Sequence, residues 1–336
     1  MKKKVLNTMV KKSGGDDYLS RLHSYFKQQF KEPIIKMVSI RKSVFFIQTE
    51  KNQYVVKGYS RNSKLRLQET FTATLRQEGF SRSYVYLEHP VKEPLFFEGE
   101  YFGCMEYLPP NRHSFNFHSQ QNREEGLALL EEFHKVTASF AERYKTLIPY
   151  SDLPGKWNER LQSFSRNHSR LRYFLDGKTI YELMAWAHWS LSGMWQNAGF
   201  FSKEPHVILH GDVAHHNFLR DQSGTLHLID FDLISIGPEC IDILQYANRI
   251  LSYMDWDFEQ LQKYPQMKPF LSERAFLYAL AYPTDILREW NRIFKDKTYK
   301  NRSASRHVIN LTLEQFSLRK QFVQKIASVI RNTGGF

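Results

Sequence analysis

At 336 residues, with 42% hydrophobic and 15% aromatic side chains, the chain has enough apolar mass for two packed lobes and too much for a disordered one. A formal charge of +12, from Lys+Arg 47 against Asp+Glu 35, favours polyanionic partners such as nucleotides, nucleic acid or acidic proteins without choosing among them. The two cysteines, Cys104 and Cys240, form no Cys-x-x-Cys pair, which argues against a disulfide scaffold and fits a cytosolic, reducing origin.

The chain opens Met1-Lys2-Lys3-Lys4, and the apolar stretch behind it ends at Lys11 and Lys12, too short for the hydrophobic region of a secretion signal. Basic residues gather near the start, through Lys27 and Lys31, and again from Lys295 to Lys320. No recognition motif accompanies them, so a solvated basic surface is favoured over a nucleic-acid face. Val44-Phe45-Phe46-Ile47 and Gln53-Tyr54-Val55-Val56-Lys57-Gly58-Tyr59 are β-rich runs joined by Glu50-Lys51-Asn52, and the second carries Lys57. Leu67, Phe71 and Leu75 recur at helical spacing and predict a helix over 63–77 that carries Glu69. Strands follow at Ser83–Leu87 and Pro94–Phe97, and a third run, Tyr101 to Leu108, leads into Pro109-Pro110. The stripe Leu127, Leu130, Phe133, His134 and Thr137 reads as a helix, as do 179–197, 241–253, 272–293 and 311–331. The most apolar stretches, 184–195 and 276–282, are interrupted by His188 or bounded by Arg274 and Asp285, so no membrane partner is expected.

The informative region lies between Leu209 and Asp232. His210-Gly211-Asp212-Val213-Ala214-His215-His216-Asn217 precedes two short strand runs, Phe218-Leu219-Arg220 and Thr225 to Ile229, joined through Asp221-Gln222-Ser223-Gly224. Pairing about that turn sets Asn217 roughly opposite Asp230, and paired strands lie ~5 Å apart. An amide oxygen and a carboxylate at that spacing suit one hard cation of the Mg²⁺ kind, which takes one or two protein oxygens.

An Asp, an Asn a few residues on and a second Asp after a hairpin is the order of protein-kinase-like enzymes. With His-Gly-Asp in place of His-Arg-Asp, the motif resembles the aminoglycoside phosphotransferase and choline kinase superfamily. The resemblance runs from roughly Pro33 to at least Asn248 and is specific only over 212–242. It implies an α+β, two-lobed protein-kinase-like fold, with a small antiparallel-sheet N-lobe holding one helix (residues 1–107) and a larger, mainly helical C-lobe (residues 108–336). It implies ATP and Mg²⁺ as cofactors. Asp212 would orient and deprotonate the acceptor hydroxyl, His210 would brace the loop, and Asn217, Asp230 and, as an additional contact, Asp232 would hold the metal. Lys57 would be the phosphate lysine, fixed by Glu69, with Glu78 the second choice. Glu106 and Tyr107 would sit where backbone meets adenine, Asp242 would anchor the loop and His134 would pack behind it. The phosphate-covering loop falls on Ser39-Ile40-Arg41-Lys42-Ser43, which departs from the pattern in having no glycine, so Arg41 and Lys42 would supply charge instead.

Within the superfamily the Tyr and Trp content, the basic ends and the Val213-Ala214-His215-His216 insert look most like the endospore-coat CotS/YutH-type kinase-like proteins. That likeness implies a cytoplasmic protein that becomes spore-coat associated, with coat proteins or an unestablished hydroxyl acceptor as partner. The glycine-free loop motivates a second reading, a pseudokinase acting as an assembly component. A third, a metallohydrolase on His210, Asp212, His215, His216 and His227, has ligands of suitable type but needs the adjacent pair His215-His216 to converge.

Overall fold

The computed structural model describes residues 15–88, 90–92 and 94–332. Lys2, Lys3, Lys4, Lys11 and Lys12, the basic start noted above, lie outside the described residues. The chain forms a mixed α+β fold that divides into two compact units. One runs up to Ser114 and includes Leu219–Asp232; the other comprises Phe115–Phe218 and Leu233 onward.

The first unit is built on a five-stranded antiparallel sheet, β1 (Ile34–Arg41), β2 (Val44–Thr49), β3 (Gln53–Tyr59), β4 (Leu95–Phe97) and β5 (Glu100–Glu106), in the order β1-β2-β3-β5-β4. Side chains alternate across a strand, so its two faces carry different residues. Phe45, Ile47, Tyr54, Val56, Phe102 and Cys104 point to one face and form a core with Leu22, Phe26 and Phe30. Leu22 and Phe26 belong to a helix, α1 (Gly15–Gln29), that is not among the expected elements. Its apolar positions Tyr18, Leu22, Tyr25 and Phe26 have helical spacing that would have revealed it. The Phe26 ring meets Phe102 edge-on at 5.3 Å. α2 (Asn62–Gln77) belongs to the opposite face, where a Cβ on Gly103 would lie 2.5 Å from Leu65. Lys57, next to Val56 and paired with Gly103, therefore points to the α2 side.

Two expectations change here. The loop Ser39–Ser43 is a tight hairpin, with Arg41 paired to Val44 and Ser43 at φ 55° taking the left-handed conformation that a glycine would otherwise supply. Residues 83–87 do not form a strand; Tyr86 alone bridges Met105, and the Glu106 carboxylate accepts the Val85 N–H at 3.1 Å.

The hairpin β7 (Phe218–Arg220) and β8 (Leu226–Leu228) turns where expected, after β6 (Val207–Leu209) and before β9 (Ser235–Gly237). Asp221 organises the turn by accepting from the Thr225 N–H at 3.0 Å and bonding the His227 ring at 2.8 Å. In the second unit β6 pairs antiparallel with β9. The rest is helical: α3 (Gln120–Ala138), capped by Ser119; α4 (Leu153–Arg166), capped by Asp152; then helices at Gly177–Gln196, Cys240–Ile250, Arg274–Leu280, Thr284–Lys295, Arg302–Leu313 and Phe316–Asn332. The span read as one helix over 272–293 is two, because Pro283 lacks the N–H and clashes with the preceding turn. The span 311–331 also breaks, at Gln315, whose side chain bonds Trp256 Nε1 at 2.9 Å and the Ser252 carbonyl at 3.0 Å. Among the described residues no helix is long and apolar enough to cross a membrane.

Candidate active site

In the first unit the candidate residues converge on Asp230. Its backbone takes φ 72°, a left-handed conformation that Asp tolerates better than most residues. The neighbouring backbone is tied down, since the Gln68 amide of α2 donates to the Phe231 carbonyl at 2.8 Å and Phe231 packs against Phe71. Lys57, 7% exposed, places its ammonium 2.8 Å from Asp230 Oδ1 and 2.9 Å from Asp232 Oδ2. Arg41, at the end of β1, reaches the other Asp230 oxygen at 2.7 Å. Burial opposes ionisation of Asp230, yet Lys57 and then Arg41 outweigh it and pull the carboxyl down to about 2.

Lys57 thus finds its partners in Asp230 and Asp232 rather than in Glu69. Glu69 lies one turn from Arg66 and pairs with it at 2.9 Å. That exposed Arg partner is close in the helix, whereas the two Asp oxygens meet Lys57 directly at the strand. Sequence reading missed Arg41 as an Asp230 ligand because the pair is closed by chain topology, not by spacing. Its guanidinium is half-exposed, so Arg41→Gln should leave the fold intact. The Asp230 carboxyl should then titrate higher than about 2 while staying below the ordinary carboxylate range, because Lys57 remains. Carboxyl-carbon NMR titration checks this; an unmoved Asp230 would show that Arg41 contributes nothing to its field.

Glu106 is committed to Val85, and Tyr107 follows the end of β5 with its ring 4.8 Å from Phe46.

Asp230 and Asp232 offer hard oxygen donors two residues apart, and Asp232 Oδ1 is buried with no hydrogen-bond partner among the described residues. A cation of the Mg²⁺ type, needing few protein oxygens, suits that donor set. Among the described residues no three His, Cys, Asp or Glu side chains converge as a metal cluster, His210, Asp212, His215, His216 and His227 included.

In the second unit a buried carboxylate organises the His210-Gly211-Asp212 loop. Asp242, fully buried at the start of the helix Cys240–Ile250, accepts the His210 N–H at 2.7 Å and the Gly211 N–H at 3.0 Å, and bonds His134 Nε2 at 2.9 Å. Burial raises its proton affinity, and the hydrogen bond and charge of His134, followed by His210, more than reverse this. Gly211 has φ 77°, and a Cβ there would sit 2.3 Å from the Leu233 carbonyl oxygen, so the loop requires glycine. The buried His210 ring accepts the Asp212 N–H at 3.3 Å. Asn217 donates its amide to the Asp212 carbonyl at 2.8 Å and to Oδ2 at 3.3 Å, which turns its amide oxygen away from that carboxylate. Arg249, two helical turns after Asp242 and so on the same helix face, reaches Asp212 Oδ1 at 3.1 Å. That spacing was the available signal for Arg249.

Comparison with known proteins gives this geometry a family. A model described as the phosphotransferase enzyme family matches residues 39–269. Among solved structures, an aminoglycoside phosphotransferase from Alicyclobacillus acidocaldarius is similar at TM-score 0.69 and 16% identity, over 89% of this chain and 93% of that one. Spectinomycin phosphotransferase, solved with ADP and spectinomycin, is similar at TM-score 0.55 and 13% identity, over 94% and 98% of the two chains. Aminoglycoside 2'-phosphotransferase-IIIa, solved with GDP, is similar at TM-score 0.60 and 12% identity, over 90% and 98%. No curated protein sequence matches. At these identities the structures establish the fold alone. The family match spans well over half of the sequence and takes in every residue described above from Arg41 to Arg249, so the chain belongs to the phosphotransferase enzyme family.

Proposed function

We propose that the protein transfers the γ-phosphoryl group of Mg-ATP to a hydroxyl acceptor. The carrying observation is the Asp242 clamp on the backbone N–H groups of His210 and Gly211, which holds Asp212 on a fixed loop with its carboxylate part-exposed. A hydroxyl placed at that carboxylate loses its proton to it as it attacks. In the first unit Lys57 would carry the charge that orients the triphosphate and Asp230, with Asp232, would hold Mg²⁺, which supplies neutralisation of the phosphate charge; in the second unit Asn217 is the candidate oxygen donor to the metal. Similar proteins solved with ADP or GDP support a nucleotide as donor. Glu106 and Tyr107 mark the stretch whose backbone would meet the base, and Glu69 remains the candidate to take Lys57 over from the Asp pair. The test is phosphate release from ATP to a panel of hydroxylated metabolites and coat proteins, with Mg²⁺ and with EDTA. Asp230→Ala is expected to weaken Mg-nucleotide binding by at least about tenfold, about 1.4 kcal/mol, measured by calorimetry; unchanged affinity would remove Asp230 from the metal site.

The finer reading places the protein with the CotS/YutH-type proteins, cytoplasmic at first and spore-coat associated later. Its support is the likeness in aromatic content, basic ends and the Val213–His216 insert. A fluorescent fusion followed through sporulation in a spore former tests it, and signal that never leaves the cytoplasm overturns it. The pseudokinase reading keeps one specific observation in its favour: Arg41 and Lys57 together occupy both Asp230 oxygens. Nucleotide-dependent stabilisation without transfer to any acceptor would favour it.

A further inference from the structure

We propose that the surface beside Asp212 takes an anionic hydroxyl compound, one bearing a phosphate or a carboxylate, and not an amine-rich acceptor. The proposal rests on the phosphotransferase reading for the role of Asp212 and adds the charge class of the substrate.

Three helices contribute cations to this surface. Lys156 and Arg160 lie one turn apart on the same face of α4. α4 is fixed against the helix Thr284–Lys295, because Asn291 donates to the Arg160 carbonyl at 2.8 Å and Arg160 Nη1 bonds the Thr284 hydroxyl and, at 3.3 Å, its carbonyl. Arg288 projects from that second helix, and Arg249 ends the helix Cys240–Ile250 on the Asp212 carboxylate.

Three carboxylates of the neighbouring elements are already matched, and α4 itself adds one, the exposed Glu159. Asp285 is held by Arg319 Nη1 and Nη2 at 2.9 and 2.5 Å, Glu289 by Arg288 at 3.1 Å and Arg292 at 2.5 Å, and Asp212 by Arg249. Arg160 spends its bonds on neutral oxygens, and Lys156 has no ion-pair partner among the described residues. The surplus is therefore positive, and the charge of Asp212 acts on Lys156. The mutual effect of these cations is visible in their proton affinities. Desolvation and then Arg160 and Arg288 push the Lys156 ammonium down, with the charge of Asp212 acting against them. Desolvation and then Arg288 do the same to Arg249. Cations held this close to one another lower their energy by sharing a bound anion, and guanidinium groups match phosphate and carboxylate oxygens in pairs. A polyamine such as an aminoglycoside would meet charge of its own sign.

In the reaction the acceptor's hydroxyl oxygen bonds to the γ-phosphorus of ATP as the bond from that phosphorus to the bridging oxygen breaks. The hydroxyl proton passes to Asp212 and the electron pair leaves with ADP.

The experiment measures binding by calorimetry at low ionic strength in the absence of nucleotide, with glucose 6-phosphate, gluconate, glucose and kanamycin as probes. Glucose 6-phosphate or gluconate, or both, should bind at least about tenfold more tightly than glucose and kanamycin; the pair distinguishes phosphate from carboxylate as the recognised group. Lys156 is exposed, so its charge can be reversed without loading the core. Lys156→Glu should lose about tenfold in anion binding and Lys156→Arg should retain it, with ADP binding and melting temperature unchanged in both. Equal binding of glucose or kanamycin, or unchanged anion binding in Lys156→Glu, overturns the proposal. Lys156-dependent anion binding with no transfer from ATP overturns the phosphotransferase reading while sustaining the site.

Discussion

Asp212→Asn is expected to lower phosphate transfer by about 10²–10⁴-fold while nucleotide still raises the melting temperature as in the parent. The substitution keeps the shape of the side chain and removes its capacity to accept a proton. It leaves the Asp212 N–H on the His210 ring and the loop clamped by Asp242, because neither contact uses the Asp212 carboxylate. Lys57, Asp230 and Asp232, the residues assigned to phosphate and metal, are likewise untouched. The substitution relaxes two contacts of the carboxylate, the 3.1 Å pair with Arg249 and the 3.3 Å bond from the Asn217 amide. Arg249→Gln separates the two effects: if the loss came only from releasing Arg249, both variants would show it equally. Transfer at parental rate in Asp212→Asn would remove Asp212 as the base.

The fold was legible where a residue pattern fixes a backbone. The Asp221–Gly224 turn is written in its residue types, and the stripe Leu67, Phe71, Leu75 marks α2 within a residue at its start. Breaks inside long apolar runs were legible only in part. The break at Pro283 is encoded locally by the proline, whereas the corner at Gln315 depends on Trp256 and Ser252, far away in sequence. At the site, the order of motifs singles out Asp212, Asn217 and Asp230 as candidates, and their roles stand as part of the proposed function. Arg41 was a charge in a loop until folding placed it on Asp230, and Lys57 was paired with Glu69 on the kinase-like pattern, which does not show the Asp carboxylates brought to the strand by folding. The cations of α4 and the helix Thr284–Lys295 carried no motif; only the packing of the two helices gathers them.

Asp242→Ala is expected to destabilise the protein by about 3–5 kcal/mol, the range for removing one partner of a buried charged network. The carboxylate is fully buried and serves three donors, so its loss strands the His210 and Gly211 N–H groups and leaves His134 without its Nε2 partner. Each backbone donor meets a different oxygen, and Asp242→Asn must therefore set an NH₂ group against one of them. The amide should recover only part of the loss, with the urea midpoint falling in the order parent, Asn, Ala. The pH dependence has a definite sign. Asp242 titrates below its ordinary value in the folded chain, so its stabilisation is fully present above the unfolded carboxylate range and disappears as pH falls through the lower folded value. Both variants should accordingly show a shallower decline in urea midpoint from neutral pH into acid than the parent. Transfer should fall together with stability, because the same two N–H bonds hold the turn that presents Asp212. Unfolding of Asp242→Ala at the parent's urea midpoint would show that the clamp does not stabilise the loop.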